Sequence, residues 1–286
     1  MKRTLGLKID VDTCEGMKKG VPRLLDSLSE LAIKGTFYLS MGPDASGLAI
    51  LQLLKNPRFL KKMLRSNAPG LYGFKTALYG TLLPSPLIAL AFPELVRRIM
   101  AEGHEVQFHA WDHRRWQDSL SRRSEQWIRD WFDKGMTSFR NLTGQKASSF
   151  GAPAWLIDDR VLKVTGDYGF DYLSCTRAGK PFLHEGIMIP EIPSDLPCFE
   201  ELGVKTAGEK ILSQLADGGL HVLPVHAEVE GGIWNQPFTD LIHDIKKKSY
   251  AFKTLGEISD MLSRDHLSIR KYRLTLLPGR SVVCAV

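Results

Sequence analysis

Residues 4–13 read TLGLKIDVDT, and the reading of this stretch decides the fold. Leu5, Leu7 and Ile9 alternate with other residues at the period of a strand, and the run ends in Asp10-Val11-Asp12. Working outward, Val21, Leu24, Leu25, Leu28, Leu31 and Ala32 recur at helical spacing over 21–33. Pro22 sits in the first turn of that helix, where a proline is tolerated. Gly35 ends the helix, and Thr36-Phe37-Tyr38-Leu39 predicts a second strand. A strand, a helix and a strand with so short a return build a parallel α/β sheet. Later strands are expected at 105–108, 147–150 and 221–225, and helices at 93–102, 121–141, 158–168 and 239–248.

The chain has 286 residues, 43% of them hydrophobic and 24% charged, enough to bury a full core. We read residues 1–286 as a single catalytic domain. The net charge of +6 favours anionic partners without choosing among nucleic acid, lipid and phosphorylated substrate. No base-reading motif accompanies the basic residues, which excludes nucleic acid from the expected partners. The four cysteines, Cys14, Cys175, Cys198 and Cys284, form no CxxC pair, which argues against a zinc ribbon or a thioredoxin-type site. The N-terminal MKRTLGLKIDVDT has neither the apolar core nor the cleavage site of a signal peptide, so a cytoplasmic location with reduced thiols is expected.

Residues 42–98 break the α/β rhythm. Asn56-Pro57 predicts a helix running to Arg65, with Phe59, Leu60, Met63 and Leu64 on one face and Arg58, Lys61, Lys62 and Arg65 beside them. Thr76 to Pro93 carries no charge, yet Gly80 and Pro84-Ser85-Pro86 interrupt it too often for a spanning helix of roughly 20 apolar residues. From Lys55 to Arg98 there are eight Lys/Arg and one acid, Glu94. Basic residues beside apolar ones predict an interfacial segment on an anionic membrane, with Arg58, Lys61, Lys62 and Arg65 meeting lipid phosphate. A helical insertion with a solvated basic face is the alternative.

The residue types that carry chemistry gather at expected strand ends. His109 and His113 lie in HEVQFHAWDH, one at the end of a strand and one a turn later, so both rings can reach one ion. Two imidazoles and one carboxylate leave coordination positions open for water and substrate. Asp10 and Asp12, two apart on a strand, point to the same side at its carboxyl end, where α/β folds place their sites. Two carboxylates so close call for a cation or a shared proton. His226 ends the apolar run Val222-Leu223-Pro224-Val225. One divalent ion is expected, and the ligand set suits zinc, cobalt or manganese alike.

Taken in order, these segments resemble the polysaccharide deacetylase family, whose catalytic unit is the NodB homology domain. The resemblance covers roughly residues 4–260 and implies a distorted (β/α) barrel, here with a helical, partly apolar insertion at about 42–98. It implies Asp10 as general base, Asp12, His109 and His113 as metal ligands, and His226 as general acid. Pro153, Trp155, Arg177 and Glu228 would line the substrate groove. Two positions depart from the family pattern. Gly151 stands where the third motif opens with an arginine that pairs with the catalytic acid. Cys175 stands where the fourth motif supplies an aspartate that orients the histidine acid.

Within the family, KIDVDT, GVPRLL, GTFYLSMGPD, FHAWDH, FGAPAW and HAEVEG are similar to a bacterial branch that deformylates a formamido-arabinose carried on undecaprenyl phosphate. The product amino sugar of that branch masks lipid A phosphates and gives resistance to cationic peptides such as polymyxin. That similarity implies a peripheral enzyme on the cytoplasmic face of the inner membrane. Two readings compete with it: N-deacetylation of peptidoglycan or another N-acetyl amino sugar, and a non-catalytic protein that binds the lipid carrier.

Overall fold

The structure, a computed structural model, describes residues 3–48, 79–80 and 83–286. Arg58, Lys61, Lys62 and Arg65, and the helix expected at 56–65, lie outside the described residues. Among those described, no helix is long and apolar enough to cross a membrane.

The core is one mostly parallel sheet. Its strands are β1 (Thr4–Val11), β2 (Thr36–Ser40), β3 (Glu105–Ala110), β4 (Ser149–Phe150), β5 (Tyr172–Leu173), β6 (Phe182–His184), β7 (Pro190–Glu191), β8 (Leu220–His226), β9 (Ala251–Lys253) and β10 (Ile269–Arg270). A separate antiparallel pair is formed by β11 (Leu274–Thr275) and β12 (Cys284–Ala285). The spatial order is β10-β6-β7-β5-β4-β3-β2-β1-β8, with β9 also on β1, and among the described residues only β6 and β7 pair antiparallel within it. The order runs between two separate ends, as a distorted barrel requires. β1 is buried along its whole length, because β2 flanks it on one side and β8 on the other. The register Asp10↔Tyr38 and Asp10↔His226 places the acid between two strand ends.

Helices follow the strands and cover the sheet, as a parallel sheet demands. The helix Val21–Glu30 carries Pro22 in its first turn, and its Val21, Leu24, Leu25 and Leu28 are buried. It enters tightly against β8: a Cβ on Gly20 would come within 1.8 Å of the Ala227 carbonyl oxygen. Only glycine permits that approach.

The helix expected at 121–141 is Glu125–Thr143. Ser124 moves its start, since its side chain accepts from the Trp127 N–H as an N-cap, and Gly144 closes it at φ 72°. The helix expected at 239–248 begins earlier, at Asn235. Helices at His113–Ser119, Val204–Gln214 and Leu255–Met261 were not anticipated. The last had a legible signal, the capping box of Thr254 and Glu257.

Candidate metal centre and catalytic cleft

The carboxyl ends of β1, β3 and β8 converge, and each delivers chemistry-bearing side chains. Asp12 lies just past β1, His109 on β3, and His113 at the start of the helix Asp112 caps. The Asp112 carboxylate accepts the Arg115 N–H at 2.8 Å and so holds the turn between the two histidines. His109 Nε2 is 3.0 Å from Asp12 Oδ1, and His113 Nε2 is 3.3 Å from Asp12 Oδ2. One donor atom from each of the three residues lies within 4.8 Å of the others.

The hydrogen bonding around these atoms tests whether an ion fits. His109 Nδ1 lies 2.7 Å from the Gly151 carbonyl oxygen, which can only accept, so Nδ1 carries the proton. In the neutral ring, Nε2 therefore presents a lone pair to a carboxylate oxygen 3.0 Å away. Neither Asp12 Oδ1 nor His109 Nε2, both buried, has a hydrogen-bond partner. Two buried acceptors facing each other are costly unless a cation lies between them. Burial, with His109 beside it, pushes the His113 imidazole down to about 4 despite the Asp12 charge, so it too offers a lone pair at neutral pH. Burial would raise the Asp12 carboxyl, but His113 and His109 outweigh it and hold the group far below its ordinary value. The set suits a divalent ion, and the Gly151 carbonyl is the outer partner that orients His109.

Asp10 is buried beside the same cleft. Its partner is Lys8, two residues earlier on the same face of β1. Lys8 is fully buried, and its ammonium lies 4.7 Å from the centre of the Tyr38 ring and 5.4 Å from that of Trp155. Gly151 makes room for this arrangement: a Cβ there would stand 3.2 Å from Lys8 Cε and 2.7 Å from the Tyr38 ring. The cation expected from position 151 is thus supplied from position 8. A lysine between Leu7 and Ile9 in an expected central strand was a signal available in the sequence, since lysine is almost never buried without a partner.

His226 ends β8, and the edge of its ring meets Trp155 at a centroid distance of 5.9 Å. Cys198 and Glu200 face it, with His226 Nδ1 3.8 Å from Glu200 Oε1. Burial would lower this imidazole, but the Glu200 charge and the Cys198 contact outweigh it and raise it well above the ordinary value. The ring is therefore protonated at neutral pH. Glu230 fixes the backbone there: one carboxylate oxygen accepts the His226 backbone N–H at 2.8 Å and the other the Phe199 backbone N–H at 3.2 Å. Cys175 plays no part there. Its thiol donates to the Phe150 carbonyl oxygen, while Glu191 accepts the Cys175 and Thr176 N–H groups and pairs with His184.

The groove residues divide. Pro153-Ala154-Trp155 forms a single tight turn, with Ala154 at φ 54° and Trp155 at φ 52°. Two successive non-glycine residues in the left-handed region hold the indole against Lys8 and His226 at a cost of about 1–3 kcal/mol each. Glu228 is buried near the metal set, with its Oε2 unpartnered. Burial, reinforced by the Asp12 charge, raises its carboxyl well above the ordinary value. Arg177 does not reach the groove. All three guanidinium nitrogens are engaged by Glu201 and by the Ser194 and Leu196 carbonyls, and the side chain is nearly fully buried. It holds the wall behind Trp155, 4.7 Å from that ring.

The sequence profile of the polysaccharide deacetylase family matches residues 2–173. A probable 4-deoxy-4-formamido-L-arabinose-phosphoundecaprenol deformylase (ArnD) of Shewanella sediminis is 36% identical over 262 residues, 90% of this chain and 86% of that protein. A protein of the same description from Wigglesworthia glossinidia brevipalpis is 28% identical over 93% of this chain and 96% of its own length. Among solved structures, one described as a polysaccharide deacetylase from Mycobacterium smegmatis superposes at TM-score 0.66 with 18% identity, covering 97% of this chain and 96% of that one. Peptidoglycan deacetylase PdaC from Bacillus subtilis superposes at 0.55 with 14% identity over 91% of each chain. These structures establish the distorted NodB-type barrel, and the sequence relatives add the chemistry of a linear amide.

Proposed function

The chain belongs to the polysaccharide deacetylase family, and from that premise we propose that it hydrolyses the N-formyl amide of a 4-deoxy-4-formamido-L-arabinose carried on undecaprenyl phosphate. The observation that carries this reading is the pairing of two things. One is extended identity to proteins named for that reaction. The other is a cleft that gathers the Lys8–Asp10 pair, the Asp12, His109 and His113 set and His226.

Asp12, His109 and His113 would hold one divalent ion, zinc, cobalt or manganese. Such an ion polarises an amide oxygen and acidifies water. Asp10, fixed by Lys8, takes a proton from the water as its oxygen attacks the formyl carbon. The C–N bond then breaks, and the departing nitrogen needs a proton because an amine anion is too basic to leave near neutral pH. His226 supplies it. The sum is amide plus water giving formate and the free amino sugar. Trp155 and Pro153 line the groove, and Glu228, with its Oε2 unpartnered, hydrogen-bonds the sugar. The amino sugar-lipid then serves lipid A modification and resistance to polymyxin, and on this reading the enzyme works as a peripheral protein on the cytoplasmic face of the inner membrane.

The test is mass spectrometry of products after incubation with formylated and acetylated sugar-lipids. Release of formate in preference to acetate supports the reading. Acetate alone would make the protein an N-deacetylase, and no product from either would make it a carrier-binding protein.

A further inference from the structure

The last eighteen residues carry an unusual surface. Residues 269–286 include Arg270, Lys271, Arg273 and Arg280 and no acid. Within the same stretch Ile269, Leu274, Leu276 and Val283 are 57%, 48%, 60% and 41% exposed. β11 and β12 pair in the register Leu274↔Ala285 and Thr275↔Cys284. One further step of that register sets Leu276 opposite Val283. Residues opposite each other, or two apart on one strand, share a face. Leu274, Leu276 and Val283 therefore share one face of the ribbon with the small, buried Ala285, and the three larger side chains are exposed.

The base of this ribbon is not loose. Cys284 and Ala285 are fully buried, Arg273 and Val286 exchange backbone hydrogen bonds, and the Arg177 N–H donates to the Ala285 carbonyl at 2.8 Å. The 277–283 turn is anchored in the wall of the cleft. Arg280 donates to Glu201 and to the Ala154 carbonyl, and its guanidinium lies 4.8 Å from the Trp155 ring. That indole also meets His226. The apolar face is thus built on the rim of the candidate active site.

We propose that the C-terminal ribbon docks on an anionic bilayer, seating Leu274, Leu276 and Val283 at the headgroup–acyl boundary with Arg270 and Arg273 among the phosphates. Apolar side chains flanked by cations are the chemistry of an interfacial element. Lys271 is paired with Asp159 and Arg280 with Glu201, but a second copy of this chain is still a poor occupant, because a two-fold contact would set Arg270 and Arg273 against their own counterparts. The location gives the docking a purpose, which rests on the lipid-carried substrate proposed above. A sugar whose carrier stays in the membrane reaches Trp155 and His226 only if the rim of the cleft faces the bilayer.

The experiment is co-sedimentation of the full chain with vesicles of phosphatidylglycerol in phosphatidylcholine, and of phosphatidylcholine alone, at low and moderate salt. The wild type should prefer the anionic vesicles, weakening with salt as the Coulomb part is screened but without vanishing. Leu274→Ser/Leu276→Ser/Val283→Ser should lower partitioning at least tenfold at both salt concentrations. Arg270→Glu/Arg273→Glu should lose the preference for anionic lipid. Both variants change exposed side chains and should hydrolyse a short soluble formamido-sugar analogue like the wild type. Equal pelleting of all three proteins, or none of the wild type, overturns the inference. A wild type that binds vesicles through these residues but leaves the analogue intact supports the docking and refutes the deformylase reading.

Discussion

Replacing Lys8 by methionine tests the least expected contact in the cleft. Methionine keeps an unbranched side chain of similar length, so the change removes a charge while adding little void. Lys8 is fully buried, and its ammonium pairs with the carboxylate of Asp10, itself 3% exposed. Removing one member of a buried pair leaves the other charge uncompensated, which costs about 3–5 kcal/mol. In a chain of this size each kcal/mol lowers the melting temperature by roughly 2–4 °C, so a fall on the order of 10 °C is expected in metal-free protein. With metal bound the loss should be smaller, because a nearby cation offsets part of the carboxylate charge. Activity should fall further than stability, by about 10²–10⁴-fold in kcat, since a general base out of position contributes nothing. The assay is urea unfolding together with kcat and metal content for wild type, Lys8→Met, Asp10→Asn and the double variant. Lys8→Met should cost little once Asp10 is already Asn. A Lys8→Met protein with wild-type stability and kcat within twofold of normal would refute the idea that Lys8 holds the base.

Three further outcomes are expected. His113→Ala should lower divalent-metal affinity at least tenfold, taking the roughly 10–100-fold of lesser outer-partner losses as a floor, and chelation should stop turnover; a metal-free preparation with full activity would sink the metal assignment. Asp10→Asn and His226→Ala should each retain fold and bound metal, measured by circular dichroism and metal analysis, while losing about 10²–10⁴-fold in kcat. Burial pushes the His104 imidazole down to about 4 from an ordinary 6.5, so between those values the unfolded chain binds more protons than the folded one. Stability should therefore drop as pH falls through that window, by at most about 3 kcal/mol, and His104→Gln, measured by denaturant titration at several pH values, should flatten the drop.

Local pattern carried much of the reading. The alternation of Leu5, Leu7 and Ile9, the helical spacing from Val21 to Leu28 and the proline in its first turn determined β1 and the helix after it, because those signals act within a few residues. The spacing of His109 and His113 likewise put one ring at a strand end and the other a turn later, and Asp10 and Asp12 belonged to one strand end whatever surrounded them. What stood at Asp10 and His226 was a different matter. The cation beside Asp10 comes from Lys8 only because Gly151, brought alongside by the β2-β3-β4 order, has no side chain to fill the space. The residues facing His226 are Cys198 and Glu200 rather than Cys175, because the segment after β7 folds back over the end of β8 while Cys175 turns under β4. Arg177 looked like a groove residue and is spent inside the wall on Glu201. Contacts such as these join positions far apart in the chain, so no local periodicity encodes them. They depend on which strands are neighbours and on the volume each side chain leaves, and only the folded sheet decides both.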